Sequence, residues 1–323
     1  MLKIPCVLMR GGTSKGPVLL ASDLPTKIEE RDAVLLGLMG AGHELEIDGI
    51  GGGSPQTSKV AIVSPSDSPD ADVDYLFVQV MVNERRVDTT PNCGNMLCAV
   101  GPFAIEKGLV KAQSPVTTVR IRNLNTGTLV DAEVQTPNFY VNYEGDTHID
   151  GVPGCAAPIG LTFLNSAGCK TGKLLPTGNV VDVIDDVEVT CIDMAMPMVL
   201  IRAEQMGKRG DESPAELDAD RAFMNRLETI RRKAGAKMGL GDVADKVIPK
   251  PVLLSEPGAG GTIRVRYFMP HTCHKSLAIT GSIGIATATI IEGSVAHHIV
   301  AVQPRTPYTN IINIEHPSGK ISV

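Results

Sequence analysis

Asn92-Cys93-Gly94-Asn95 sets a thiol between two amide side chains, just ahead of an uncharged run. If that run is a helix, Cys93 stands at the positive end of its dipole, where thiols become reactive. Gly94 leaves space for a ligand beside unpaired N–H groups, and Asn92 and Asn95 can donate to it. The alternative is a helix start with a buried thiol and no ligand. Lys59 follows Thr57-Ser58 and the glycine run 51–53, at the mouth of an apolar strand. A partly desolvated amine there can act as a general base; a solvated strand-end lysine is the plain alternative. The turn 10–16 carries Thr13, Ser14 and Lys15 between glycines. It lacks the spacing of a nucleotide phosphate loop and suits a carboxylate better. Arg264 and Arg266 share one strand face, either as a carboxylate clamp or as the solvent side. His271 and His274 flank Cys273, but no second cluster completes a tetrahedral metal site. No nucleophile elbow or G-x-G-x-x-G turn supports a hydrolase or a dinucleotide enzyme.

Composition narrows the partners. The 323 residues carry 30 Lys+Arg against 36 Asp+Glu, a formal charge of −6, and 43% are hydrophobic. That is enough for a real core and fits two domains of ordinary size. Mild acidity without a basic block argues against nucleic acid or anionic membrane. Five Tyr, six Phe and no Trp leave no base-stacking platform. No uncharged stretch is long and apolar enough to span a bilayer, and the N-terminus lacks a signal-peptide core. A cytoplasmic protein is expected. Its seven cysteines include no CxxC pair and read mostly as buried thiols in a reducing compartment.

These residues need elements to hold them. Strands are expected at Ile4–Met9, Val18–Ala21, Lys59–Ser64 and Tyr75–Val82. A capping box at Thr26–Glu29 opens a helix to about Met39, and Asn92 starts a nearly uncharged one to about Lys107, bent at Gly101-Pro102. The second half replays this order. Strands fall at Val187–Met194, Met198–Ala203, Val252–Ser255 and Thr262–Met269. Ser213–Glu216 is a capping box with Pro214 at the first helical position, and Phe223, Leu227, Ile230, Ala234 and Met238 form one stripe. Thr280 opens a second uncharged helix, reaching Ile291. Matching points lie about 185 to 191 residues apart, which points to gene duplication. A helix apolar all round must be buried all round, so each half should wrap a sheet about its central helix. Should the halves face each other, two helix N-termini would build one anion site.

Six segments together resemble a known family: MRGGTSKG at 9–16, IDGIGG at 47–52, TSK at 57–59, NCGNM at 92–96, PTGN at 176–179 and HPSGK at 316–320. The chain resembles the 4-oxalomesaconate tautomerase and 2-methylaconitate cis-trans isomerase family, of the diaminopimelate epimerase-like fold. The segment from Arg266 to His271, and the lack of a longer insertion there, look closer to the oxalomesaconate branch. The resemblance implies an α+β protein of two similar domains, each a rolled mixed β-sheet around a central helix, with the active site in the inter-domain cleft. The domains are expected at 1–182 and 183–323, with strand 310–323 free to return to the first.

The implied enzyme is a cofactor-independent, metal-free isomerase. It would move a double bond by 1,3-proton transfer in a small unsaturated tricarboxylate, as in aromatic-acid catabolism. The alternatives are 2-methylaconitate as substrate, or a carboxylate-binding module without turnover. A homodimer is left open. Lys59 and Cys93 match the family's functional positions, Cys93 as acid or as hydrogen-bond donor. The binding residues implied are Thr13, Ser14, Ser58, Asn92, Gly94, Asn95, Arg266, His271, Gly281, Ser282 and Ser318. Related racemases place a thiol at the start of both central helices. Here Ile279-Thr280-Gly281-Ser282 holds none, so one thiol plus one lysine suits allylic proton transfer better.

Overall fold

KVAIVS at 59–64 is apolar at successive rather than alternate positions, the pattern of a strand covered on both faces. In the computed structural model, which describes residues 3–269, 271–300 and 310–323, it lies inside a sheet of the first of two units, Met1–Asn165 and Ser166–Val323.

The first unit runs β1 (Val7–Gly11), β2 (Ser14–Leu20), α1 (Ile28–Met39), β3 (Lys59–Pro65), β4 (Val73–Val80), β5 (Val87–Asp88), α2 (Gly94–Glu106), β6 (Val116–Asn123), β7 (Leu129–Gln135), β8 (Thr147–His148), β9 (Cys155–Ala156) and β10 (Ile159–Leu164). Its sheet has the order β1-β2-β3-β4-β6-β7-β10, with β5 paired to β4 and β8-β9 a separate hairpin. β2–β3 and β4–β6 are parallel, and the other neighbours antiparallel. The sheet curls so that β1, β2, β3, β4, β6, β7 and β10 all touch α2. Met96, Leu97, Val100 and Phe103 of α2 are buried among Val18, Ala61, Phe77, Val119 and Val130. α1 covers the other face, with Leu35 and Met39 against Leu19, Val60, Ile62 and Val78. Alternation therefore puts Lys59, like Ala61, on the α2 side. α2 runs through Pro102 as one element. The expected box at Thr26 does not form: α1 starts at Ile28, and Lys27 holds the cap position without a capping side chain. Glu30 then occupies the third helical position, where its carboxylate takes the Lys27 ammonium at 2.9 Å.

The second unit runs β11 (Asp182–Ile184), β12 (Val187–Asp193), β13 (Pro197–Arg202), α3 (Pro214–Ala219), α4 (Arg221–Lys237), β14 (Lys250–Ser255), β15 (Ile263–Tyr267), α5 (Ile279–Ile290), β16 (Asn313–His316) and β17 (Gly319–Ser322). They pair in that order, β11 to β17, with β13–β14 and β15–β16 parallel. Both C-terminal strands thus belong to this sheet. One face packs on α5 through Leu200, Val252, Val265, Tyr267 and Ile285. The other packs on α3 and α4, where the stripe Phe223, Leu227, Ile230, Ala234 and Met238 is buried as its spacing predicts. The Ser213 capping box forms, Pro214 opening α3. The single helix expected there breaks at Asp220, whose carboxylate accepts from the Phe223 N–H at 3.0 Å and caps α4. Both units share one plan: an antiparallel pair, a helix, an antiparallel pair joined parallel to the first, a buried helix, and a last pair. No helix among the described residues is long and apolar enough to cross a membrane.

Glu315 ties β16 to the loop before β15, accepting from the N–H groups of Gly258 at 2.8 Å, Ala259 at 2.6 Å and Gly261 at 2.8 Å, and from Arg264. Burial alone would raise its pKa, but those donors hold it below the ordinary 4.5. A depressed carboxylate stabilises above the unfolded pKa and loses that contribution as pH falls through the folded one. Glu315→Gln turns an amide N–H against these donors, so urea unfolding at neutral pH should show a loss of about 2 kcal/mol. The gap to wild type should narrow as pH drops below 4.5. A gap constant with pH would show that carboxylate charge does not hold the loop.

Candidate active site

α2 begins without a side-chain cap. Cys93 occupies the cap position in extended geometry, so the first-turn N–H groups from Gly94 onward are not paid off by a side chain. The segment leading in is fixed from behind by the turn after β6. Asn125 donates to the carbonyls of Thr89 at 2.7 Å and Phe77 at 2.9 Å, while Asn123 donates to the Asn92 side-chain oxygen at 2.6 Å. With that oxygen occupied, Asn92 has its NH₂ to offer a ligand. The fully buried Tyr75 donates to the Cys93 carbonyl at 3.2 Å. Burial, with Cys93 and Cys98 close by, pushes its phenol well up, so it remains a donor.

The β1–β2 turn closes over the same end. Thr13 Oγ1 accepts from Asn95 Nδ2 at 2.8 Å, and Ser14 is buried beside it. A side chain on Gly11 would reach within 2.1 Å of the Asn95 carbonyl oxygen, so only glycine lets this turn approach α2. Residues 12–16 happen to have G-x-S-x-G spacing, but Ser14 enters a strand, not a helix, so no nucleophile elbow exists. Lys59 extends from the first position of β3. Its Nζ lies 3.7 Å from Cys93 Sγ and 5.1 Å from the centre of the Phe77 ring. An amine, a thiol and hydrogen-bond donors thus share one helix N-terminus: Lys59, Cys93, Thr13, Ser14, Asn92, Gly94 and Asn95.

Ser58 does not join them. It is fully buried, its hydroxyl given to Glu46, whose other oxygen accepts from the Gly53 N–H at 2.8 Å. Its carbonyl accepts from Gln79 and from the Val80 N–H, so Ser58 anchors the start of β3.

In the second unit, Gly281 and Ser282 do sit in the first turn of α5, again without a side-chain cap. The Ser282 hydroxyl, however, donates to the Ile279 carbonyl at 2.7 Å. Ser318 donates to the Lys275 carbonyl, docking the β16–β17 turn on the approach to α5. Arg266 is neither clamp nor solvent face. It points to the α3 side of its strand, opposite Tyr267, and donates to the carbonyls of Glu212 at 2.6 Å and Val265 at 2.9 Å. Burial lowers its pKa. Arg264 pairs with Glu315. His271 is exposed in the turn closed by Met269 and Thr272; Pro270 lies outside the described residues. Glu46, Tyr75, Asn123 and Asn125 support the site without having been expected from the sequence.

Comparison with known proteins follows this geometry. The family described as "PrpF protein" matches residues 1–323. The Escherichia coli strain K12 protein named "Putative isomerase YbhH" is 64% identical over 323 residues, covering 100% of this chain and 91% of that protein. The 4-oxalomesaconate tautomerase of Pseudomonas putida is 51% identical over 321 residues, covering 99% of this chain and 88% of that protein. The crystal structure of a methylitaconate-delta-isomerase superposes with a TM-score of 0.85 at 38% identity, over 99% of this chain and 88% of that one.

The seven thiols should separate by place. Cys6 and Cys155 are exposed, whereas burial pushes Cys98, Cys169, Cys191 and Cys273 up to about 12. Iodoacetate should label Cys6 and Cys155 without consequence, and activity should fall in step with label on Cys93, whose helix end attracts the reagent's carboxylate. Peptide mapping that finds activity lost with Cys93 unmodified would remove Cys93 from the site.

Proposed function

Because the chain belongs to the PrpF protein family and is an isomerase, we propose that it shifts a double bond by 1,3-proton transfer in a small unsaturated tricarboxylate, 4-oxalomesaconate. The observation that carries this is the 3.7 Å contact between Lys59 Nζ and Cys93 Sγ at the uncapped start of α2. The name of the relative at 51% identity supports the choice of substrate.

A substrate carboxylate meets the first-turn N–H groups of α2, with Thr13, Ser14, Asn92 and Asn95 around it. Neutral Lys59 takes a proton from carbon. The electron pair of that C–H bond moves into the conjugated system, giving a dienolate whose oxygens gather charge. Donors already fixed at those oxygens stabilise it without reorganising. Cys93 either protonates the far carbon or holds the dienolate by a hydrogen bond. In the first case the products are a thiolate and the Lys59 ammonium, and their contact lets the ammonium return its proton to sulfur; in the second the Lys59 ammonium itself delivers the proton it took to the far carbon. Both groups are then ready for another turnover with no net change in protons. Tyr75 and Asn123 keep the thiol and its neighbour in place throughout.

Lys59→Met keeps the length and apolar bulk of the side chain but removes the amine. Folding should survive, and turnover of 4-oxalomesaconate, followed by its ultraviolet absorbance, should fall about 10²–10⁴-fold. Wild-type turnover in heavy water should place deuterium in the product, with 2-methylaconitate run in parallel to test the substrate. A variant as fast as wild type removes Lys59 from the role of base. Binding without deuterium exchange or turnover would make the protein a carboxylate-binding module.

A further inference from the structure

Tyr267 is 2% exposed, and its ring lies against the first turn of α5. A methyl group placed on Gly281 would fall 2.6 Å from ring carbon Cε2 and 3.1 Å from Cζ, the carbon bearing the hydroxyl. The polar end of the phenol therefore sits at the helix N-terminus, and glycine at 281 is what admits it. The ring is braced edge-on by His274, with centroids 6.1 Å apart. Among the described residues, the Tyr267 hydroxyl makes no hydrogen bond. The other buried tyrosine, Tyr75, does spend its hydroxyl, on the Cys93 carbonyl.

Packing alone does not call for a phenol here. Tyr267 stands opposite Val252 in β14, as Phe77 stands opposite Ala61 in β3, and both partners are the third residue of a strand that starts with lysine. Phe77 fills its place with a plain ring. The hydroxyl oxygen is not among the buried unpaired atoms of the described residues, which are Asp182 Oδ2, Arg202 Nε and Ser255 Oγ, so it is not sealed from solvent. An enclosed tyrosine commonly gives its oxygen a partner. Burial also raises its pKa, so it donates and does not ionise. The neighbouring donor is spent, since the Ser282 hydroxyl is turned to Ile279.

We propose that Tyr267 is a substrate-binding residue, its hydroxyl donating to a substrate carboxylate seated at the N-terminus of α5. This rests on the polycarboxylate reading of the enzyme given above. The helix N–H groups supply charge attraction, and the phenol adds a single O–H donor beside Gly281 in the first turn.

Tyr267→Phe removes only the oxygen. The thermal midpoint should hold or rise slightly, and KM for 4-oxalomesaconate should rise roughly 10- to 100-fold, as for a lost hydrogen bond to a charged group, with kcat much less affected. A second readout needs no turnover. The chain has no Trp, so tyrosine dominates its near-ultraviolet signal. Titrating the saturated tricarboxylate tricarballylate should perturb tyrosine absorption in wild type and leave most of that change missing in Tyr267→Phe. An unchanged KM, or a perturbation that survives in the variant, overturns the assignment. If the variant fails to fold, a wild-type titration without any tyrosine perturbation overturns it equally. Failure of wild type to isomerise any tricarboxylate, with tricarballylate binding still lost in Tyr267→Phe, would sink the proposed reaction while leaving the carboxylate contact in place.

Discussion

An α-helix with no polar side has to be enclosed, yet its first turn exposes N–H groups that cannot be left in an apolar wrapping. α2 meets both demands at once. Its flanks are covered by seven strands of the curled sheet. Its N-terminus is left open at the rim, with Cys93 in the cap position and no side chain satisfying the first turn. Everything that approaches that end is small or fixed: Gly11 under the Asn95 carbonyl, Thr13 on the Asn95 amide, and Asn123 behind Asn92. The candidate site lies where the burial rule for an apolar helix is met while no protein side chain caps its first turn.

Placing Lys59 there is a matter of register. Side chains alternate across a strand, so Lys59, Ala61 and Val63 face α2 while Val60 and Ile62 face α1. A slip of one residue would send the amine into the α1 core and bring Ser58 to the thiol. The register is held from the α1 side, where buried Glu46 takes the Ser58 hydroxyl and the Gly53 N–H, and from β4, where Gln79 reaches the Ser58 carbonyl. The ring of Phe77, 5.1 Å from Lys59 Nζ, packs beside the side chain as it leaves the strand. Lys59 and Cys93 thus meet on α2's side of the sheet, with the start of β3 steered by a carboxylate on the other.

The chemistry-bearing residues were legible because they are local signals: a thiol ahead of an uncharged run, a lysine ahead of an apolar strand, glycines where backbones meet. The repeat was legible because both buried helices are nearly free of charge, Glu106 at the end of α2 being the exception. What the sequence does not display is which hydrogen bonds its polar residues have already spent. Ser58 and Ser282 have the right type and position for donors, and both give their hydroxyls to protein acceptors. Arg266 has the right charge, but its strand turns it toward the α3 side, where carbonyls take it. The turn Asn123-Leu124-Asn125-Thr126-Gly127 announces a hairpin, while nothing in it announces that its amides reach Asn92 and Thr89. The box at Thr26 failed for a similar reason: a rule of spacing met a helix that begins one residue later.

Each unit holds a buried helix with an open start, and the two starts differ in what surrounds them. α2 has a thiol at its cap and an amine beside it. α5 has Ala278 at its cap and no titrating group in its first turn. The nearest thiol in sequence, Cys273, does not compensate. It packs with Phe223, Leu227 and Phe268 in the core under α3 and α4, across the sheet from α5, and burial pushes it up to about 12. A symmetric mechanism, in which matching thiols work opposite faces of one carbon, therefore has no second thiol to use. In the proposed mechanism proton transfer belongs to the start of α2, while the start of α5 offers a helix N-terminus and a neutral phenol, which can hold negative charge without moving protons.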